Sequence, residues 1–133
     1  MHRRQNPEAD IQRLIVRDLH RLLRPPFIIH HSANEGGKGS RRAQGILTGM
    51  GVWPGFSDLL LLFPERRLLF LEVKSARGQQ HDAQRTFESD VAAFGWPYEV
   101  VRSSAEAFDA VRKHGLPTRE ARALGGPAAA RNI

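Results

Sequence analysis

The sequence predicts an α/β domain with a mixed central sheet flanked by helices, in the element order α-β-β-β-α-β-α. Stretches with helical spacing of apolar residues alternate along the chain with short apolar runs of strand type, which is typical of domains that pack helices on a sheet. Two adjacent runs are apolar at nearly every position, which indicates central strands covered on both faces. The length of 133 residues suits one domain with a single substantial core.

Composition excludes several classes of protein. Hydrophobic residues make up 41% of the chain and charged residues 26%, and no apolar run approaches the roughly 20 residues of a membrane span, so no membrane partner is expected. The basic start lacks the apolar stretch of a signal peptide, which predicts a cytoplasmic protein. Cysteine is absent, which excludes disulfides, zinc–thiolate sites and cysteine nucleophiles.

The charge balance favours a polyanionic partner. Lysine and arginine outnumber aspartate and glutamate by 20 to 14, which gives a net charge of +6. Such an excess suits nucleic acid. Many soluble proteins of this size carry a similar charge, so function has to be inferred from motifs.

The first element is a helix predicted over residues 7–23. Asn6 is a good N-cap, Pro7 suits the first helical position, and apolar residues at helical spacing follow until two prolines stop the helix. Extending the apolar stripe backwards reaches Glu8, so its carboxylate leans toward the core side. The alternative is that Glu8 is a surface acid that only complements the helix dipole.

A short strand is predicted over residues 27–31, and a long loop over residues 32–54, where seven glycines or prolines occur. A loop longer than about 12–15 residues within a compact domain is usually functional or disordered, and a basic one suits phosphate contact. The alternative is a solvated loop without a ligand. The candidate DNA-binding residues of this loop are Asn34, Lys38, Arg41 and Arg42.

A hairpin of two central strands follows. Residues 55–63 and 68–74 are the two apolar runs, and residues 64–67, or part of them, form the turn. Next, apolar residues at helical spacing predict a helix over residues 79–94, with Gln84 on its apolar side. A strand over residues 98–102 comes after it.

The last predicted helix begins after Ser103, which forms a capping box with Glu106, and ends at Gly115. The tail beyond it is rich in Ala, Gly, Pro and Arg and is expected to add little to the core. The predicted organisation is therefore one domain over residues 1–115 and a C-terminal tail over residues 116–133.

Three polar side chains are expected to meet at one end of the hairpin. Asp58 enters the first strand where Glu72 and Lys74 leave the second, and these two ends are neighbours in an antiparallel pair. A three-residue turn at residues 64–66 places Asp58 opposite Glu72, on the face that Lys74 shares. A four-residue turn would place Asp58 opposite Val73, on the wrong face. The site therefore requires an odd-length turn.

This arrangement favours phosphodiester hydrolysis. Two neighbouring carboxylates repel each other unless a proton or a cation lies between them, and oxygen ligands favour Mg²⁺ or Mn²⁺. Such an ion polarises a phosphoryl oxygen and acidifies bound water, while Lys74 can orient that water or stabilise developing charge. The alternative is a purely structural ion pair of Lys74 with Glu72 or Asp58 on the rim of the sheet.

These residues resemble a known family of nucleases. The segment Gly55-Phe56-Ser57-Asp58, followed by Glu72-Val73-Lys74 after an apolar strand, is similar to the PD-(D/E)XK nuclease pattern, with Ser57 where proline is usual. The glycine-rich approach to the aspartate, the residues after the lysine, and Gln84 on the next helix closely resemble the VRR-NUC branch, the virus-type replication-repair nucleases. The likeness runs from Glu8 to about Val111.

The resemblance implies a Mg²⁺- or Mn²⁺-dependent DNA endonuclease with the restriction-endonuclease-like fold. It implies Lys74 as the catalytic lysine and Gln84 as a residue that supports the site. Separately from the resemblance, the place of Arg77 just past Lys74 makes it a candidate contact to a DNA phosphate. The metal ligands that the resemblance implies are Glu8, Asp58, Glu72 and the carbonyl of Val73.

Stand-alone members of this size resemble homodimeric resolvases of branched DNA such as Holliday junctions, and look like phage or prophage proteins acting in DNA repair or recombination in the cytoplasm of a bacterium or infected host. A symmetric dimer suits cutting both strands of such a junction. Two alternatives remain: a nuclease for flaps, nicks or ordinary duplex, and a non-catalytic DNA-binding module that keeps the fold. The intact Asp58, Glu72 and Lys74 argue against the second.

Overall fold

The computed structural model describes residues 6–32 and 41–120. None of the helices in these ranges is long and apolar enough to cross a bilayer. The helices and strands in chain order are α1 (Pro7–Leu22), β1 (Ile28–His31), α2 (Arg41–Gly49), β2 (Leu59–Phe63), β3 (Arg67–Val73), α3 (Asp82–Ala93), β4 (Tyr98–Val101) and α4 (Ser104–Lys113).

The strands form one mixed sheet in the order β1-β2-β3-β4. The pairs β1–β2 and β2–β3 are antiparallel, and β4 is parallel to β3. A parallel neighbour requires a crossover connection, which α3 supplies. The predicted fold class, an α/β domain with a mixed central sheet flanked by helices, is confirmed.

The hairpin register is the one that the site requires. Phe63 pairs with Arg67, so the turn consists of residues 64–66, and Leu59 pairs with Leu71. Extending this register by one residue places Asp58 opposite Glu72. The prediction of an odd-length turn is therefore confirmed. Within this three-residue turn, Glu65 and Arg66 have positive φ angles of 66° and 61°.

Helices cover both faces of the sheet, as the apolar strands predict. One face carries the larger core, in which α1 and α4 pack on β2 and β3. Alternation along β2 explains the choice of residues, because Leu59, Leu61 and Phe63 are buried on this face. The other face is covered by α3, whose Phe87 and Val91 pack on Phe70 of β3.

Helix α2 corrects the prediction of a continuous loop over residues 32–54. Residues 41–49 are helical because Arg, Ala, Gln and Leu, which favour helices, occupy most of this run, and a glycine inside it costs only about 1 kcal/mol. The glycines and the proline on either side of this run favour a loop, which is why the sequence did not predict the helix. Residues 33–40, which include Asn34 and Lys38, lie outside the described residues.

The first residues of the predicted tail are attached to the domain. Leu116 is only 6% exposed and belongs to the larger core. The backbone N–H of Arg119 donates to the carbonyl of Leu22 at 2.7 Å, and its side chain donates to the carbonyl of Leu23 at 2.9 Å. The expectation that the tail adds little to the core is thus wrong for Leu116, because this side chain fills the space beside the end of α1. Residues 121–133 lie outside the described residues.

Candidate active site

Asp58 and Glu72 lie on the sheet face that α3 covers. Asp58 is one residue before β2, and the backbone N–H of Val73 donates a hydrogen bond of 2.8 Å to its Oδ2 atom. This bond crosses from β3 to the start of β2, at the point where the hairpin register pairs Asp58 with Glu72. The convergence that the turn length predicts is therefore present.

Glu72 is a buried carboxylate with one oxygen satisfied and one unpartnered. Its side chain is 1% exposed, and its Oε2 atom accepts a hydrogen bond of 2.7 Å from Gln84 Nε2. The Oε1 atom has no hydrogen-bond partner among the described residues. Leaving a buried carboxylate oxygen unpaired is costly, so this atom marks a position suited to a ligand.

Lys74 pairs with the same carboxylate. Its side chain is 3% exposed, and its Nζ atom lies 3.5 Å from Glu72 Oε2. The ion pair that we considered as an alternative explanation of these residues is thus present. This ion pair leaves Glu72 Oε1 without a partner among the described residues, and it leaves the negative charge of Asp58 beside Glu72. A structural ion pair alone therefore does not account for the cluster.

The environment changes the protonation of Glu72. Burial, followed by the negative charge of Asp58, raises the pKa of the Glu72 carboxyl to about 8, although the charge of Lys74 opposes the change. In the absence of a cation, a proton therefore remains on this carboxyl near neutral pH. A cation between the two carboxylates would replace that proton.

Gln84 is fixed at both ends of its side-chain amide. While Nε2 donates to Glu72, Oε1 accepts a hydrogen bond of 2.8 Å from the backbone N–H of His81, the residue before α3. Glutamine in the first turn of a helix commonly bonds back to the backbone there. The helix start thus positions Gln84 against β3, on the inward side that the sequence predicted.

A glycine sets the distance between the approach to Asp58 and α3. Gly55 has a φ of +78°, and a Cβ atom built on it would lie 2.1 Å from the carbonyl oxygen of Ala83. Only a residue without a side chain allows this contact. Ser57, two residues on, is fully buried, and its hydroxyl donates to the carbonyl of Leu59 at 3.0 Å, so serine fits where the family pattern has proline.

Glu8 lies near the site, beside the turn that follows Lys74. Its Oε2 atom is 3.0 Å from the place where a Cβ atom would sit on Gly78. Within residues 6–32 and 41–120, however, no three His, Asp or Glu side chains lie together as a metal-holding group. Its role as a metal ligand therefore stays a prediction, as do the ligand roles of Asp58, Glu72 and Val73.

His31 and Gln12 support the backbone of Asp58, which the sequence did not predict. His31 Nδ1 lies 2.9 Å from the carbonyl oxygen of Asp58 and 3.0 Å from Gln12 Nε2. The ring lies on the α1 side of the sheet, because His31 pairs with Leu59, whose side chain is buried there. Alternation along a strand allows at most one of His30 and His31 to face the carboxylates, and the sequence alone does not indicate which.

Tyr98 is a second neighbour that the sequence did not single out. Its hydroxyl accepts a hydrogen bond of 3.1 Å from Gln80 Nε2, and burial together with the charge of Glu72 raises its pKa. Tyr98 lies on β4 opposite Phe70 of β3, and Phe70 is two residues before Glu72. The phenol thus remains protonated beside the buried carboxylates.

The predicted DNA-binding residues that the structure describes lie in two places. Arg77 is exposed in the turn after β3, close to the site. Arg42 is exposed on α2, whereas for Arg41 only the backbone, at the start of that helix, is described. Their contacts with DNA, and those of Asn34 and Lys38, stay predictions.

Comparison with known proteins identifies the fold. No protein-family model matches the sequence, and no curated protein matches it either. Among solved structures, the chain is similar to one described as a VRR_NUC domain protein, with a TM-score of 0.63 over 85% of this chain and 91% of the other. The sequence identity is 18%, so the similarity concerns the fold. The chain has a VRR-NUC-like fold, in agreement with the resemblance of its motifs.

Proposed function

We propose that this protein is a metal-dependent nuclease that hydrolyses phosphodiester bonds of DNA. The observation that carries the proposal is the buried cluster of Asp58, Glu72 and Lys74, in which Glu72 Oε1 has no partner among the described residues. A purely structural role would require this carboxyl to keep a proton beside a second carboxylate, because the ion pair of Lys74 is with the other oxygen, Oε2. A role in binding a cation and a phosphate uses every member of the cluster.

The residues present fit a divalent cation. The candidate donors are the carboxylates of Asp58 and Glu72 and the carbonyl of Val73, all of them oxygens of the kind that Mg²⁺ and Mn²⁺ prefer. When bound, such an ion polarises a phosphoryl oxygen and lowers the pKa of a coordinated water. Glu8 is a candidate for a more distant contribution, because its carboxylate lies beside the adjacent turn.

Lys74 and Gln84 have separate roles in the proposal. Gln84 holds Glu72 Oε2, so that the Oε1 atom stays directed to the ligand. Lys74 lies 3.5 Å from Glu72, a looser contact than a hydrogen bond, so its ammonium can also donate to a phosphoryl oxygen or to the attacking water.

A cleavage panel tests this function. The purified protein is incubated with labelled four-way junction, flap, nicked and linear duplex DNA, with Mg²⁺, Mn²⁺ or a chelator. We expect cleavage that requires the metal and is lost in Glu72→Gln, whereas the control Glu65→Gln, in the exposed hairpin turn, keeps it. Metal-independent cleavage, or DNA binding without cleavage of any substrate, would reject a metal-dependent nuclease, and the second result would identify a binding module.

We also propose that the protein acts as a homodimer on branched DNA, through a surface beside the site. Three apolar residues on and after α2, Ile46, Leu47 and Met50, are exposed, and a nine-residue helix is marginal unless its apolar side is covered. An apolar groove of about 450 Å³ lies on the side of the sheet that α3 covers, and α2 of a second copy is its proposed occupant. The groove is lined mainly by Trp53, Phe56, Phe70, Phe87, Phe94 and Trp96.

Size-exclusion chromatography with light scattering, which measures the molar mass of the protein, tests the dimer. We expect a dimer for the unaltered chain and a monomer for Met50→Glu, because the substitution places a charge on an apolar interface. Ala105→Glu, an exposed change on α4, is the control for added negative charge. A monomeric unaltered protein would reject the dimer without affecting the nuclease assignment. Preference for the four-way junction over the other DNA substrates would support the branched-DNA part.

A further inference from the structure

The turn that follows the candidate catalytic lysine has a defined conformation. The backbone N–H of Gly78 donates to the carbonyl of Ser75 at 3.0 Å, which closes a four-residue turn over residues 75–78. Arg77 is the third residue of this turn, and it is exposed. The turn leaves the sheet directly beside the site, so the position of the Arg77 guanidinium depends on how firmly the turn is held.

Arg102 holds this turn from the neighbouring strand. It follows β4, which runs parallel to β3, so the ends of the two strands lie side by side. Its Nη1 atom donates hydrogen bonds to the carbonyl of Ser75 at 2.5 Å and to the carbonyl of Gly78 at 2.7 Å. One nitrogen thus joins the first and last residues of the turn, and the side chain is half-buried.

The charge of Arg102 is not used in an ion pair within residues 6–32 and 41–120, where the structure records no carboxylate bonded to its guanidinium. Its backbone N–H donates to Glu106 Oε1 at 2.9 Å, which fixes the start of α4 and the backbone of Arg102 together. A guanidinium that donates to both of these carbonyls joins the two ends of the turn and stiffens it.

We propose that Arg102 is a positioning residue that fixes the 75–78 turn, and that it thereby presents Arg77 to a phosphate of the DNA bound at the site. This inference rests on the proposed function, because it assumes that DNA occupies the site. A turn held in its bound conformation before binding reduces the conformational entropy that binding would otherwise cost. Arg102 acts through Arg77 and does not itself contact the DNA.

A double-mutant cycle on DNA binding tests the inference. Affinity is measured over a series of salt concentrations in the cleavage-deficient Glu72→Gln protein, with Arg77→Ala, with Arg102→Met and with both. We expect each single change to weaken binding about fivefold and to lower the salt slope by about one, as the loss of one phosphate contact predicts. The double variant should bind no more weakly than either single one. Arg21→Met, an exposed change on α1, controls for lost charge.

Hydrogen exchange of the Gly78 amide gives a second measurement, made without DNA. We expect faster exchange in Arg102→Met, an intermediate rate in Arg102→Lys, which keeps the charge with fewer donors, and no change in Arg77→Ala. If Arg102→Met does not fold, Arg102→Lys carries both measurements, with a smaller loss of affinity that disappears in the Arg77→Ala background.

The outcomes separate this inference from the proposed function. Additive losses in the double variant, or an unchanged Gly78 exchange rate, would overturn the role of Arg102 while DNA binding by the parent protein still supports the function. A parent protein that does not bind DNA would overturn the proposed function and the role of Arg102 with it.

Discussion

Gln84 joins the first turn of α3 to the buried carboxylate of Glu72 through a hydrogen bond of 2.7 Å. We expect Gln84→Ala to reduce cleavage by about 10- to 100-fold, because residues that orient a ligand carboxylate have effects of this size. The metal concentration for half-maximal activity should rise. Gln79→Ala, an exposed change just before the helix, serves as the control. Equal activity of the two variants would show that the hydrogen bond does not support the site.

The three clustered side chains should be individually essential for cleavage. We expect Asp58→Asn, Glu72→Gln and Lys74→Ala each to lower the cleavage rate by at least about 1000-fold, because each removes a charge from the reacting centre. DNA binding, measured by gel shift, should survive. Asp109→Asn on the exposed side of α4 is the matched control for loss of a carboxylate. Full activity in any one of the three variants would reject the role assigned to that residue.

Stability of the metal-free protein should fall as pH rises. The folded pKa of Glu72 is raised from 4.5 to about 8, so the folded state holds a proton that the unfolded state releases. Between about pH 5 and 8, the free energy of unfolding should fall by at most about 1.4 kcal/mol per pH unit from this group. The Glu72→Gln variant should lack this component, and denaturant unfolding at several pH values measures it. Parallel pH profiles for both proteins would contradict the raised pKa.

Gly55 should tolerate no side chain. We expect Gly55→Ala to destabilise the fold by about 1–3 kcal/mol more than Gly51→Ala does, because its Cβ would overlap the backbone of Ala83. Gly51 is a matched control, since its φ is also positive, at +101°, but open space surrounds it. Urea unfolding gives both values. Equal destabilisation would mean that conformational strain, and not the close approach to α3, determines the cost.

Glu8 should matter for metal binding less than the strand carboxylates. We expect Glu8→Gln to shift the metal titration of cleavage to higher concentrations without abolishing activity, because its carboxylate lies beside the 75–78 turn and outside the cluster of Asp58 and Glu72. Asp10→Asn, in the same helix turn and exposed, is the control. An unchanged titration would remove Glu8 from the site.

Much of the fold and site could be predicted because it depends on local pattern. The apolar run of β3 and the turn before it determine which face Asp58 and Glu72 occupy, and helical spacing alone places Gln84 inward. Helix α2 was missed because the glycines around it mask its helix-forming residues. The contacts of Arg102 and His31 could not be predicted, because they join segments far apart in sequence through side chains whose directions only the assembled sheet defines.

The turn at residues 64–66 has a consequence at the opposite end of the hairpin. It makes Leu59 pair with Leu71, and the same alternation that sends Leu59 and Leu61 inward to α1 and α4 sends Asp58 toward α3. A shift of the pairing by one residue would turn one strand over: either Leu59 and Leu61 leave the interior as Asp58 turns away from α3, or β3 exchanges its inward residues and turns Glu72 away. The orientation of the proposed site and the burial of the core therefore depend on the same alternation along the two strands.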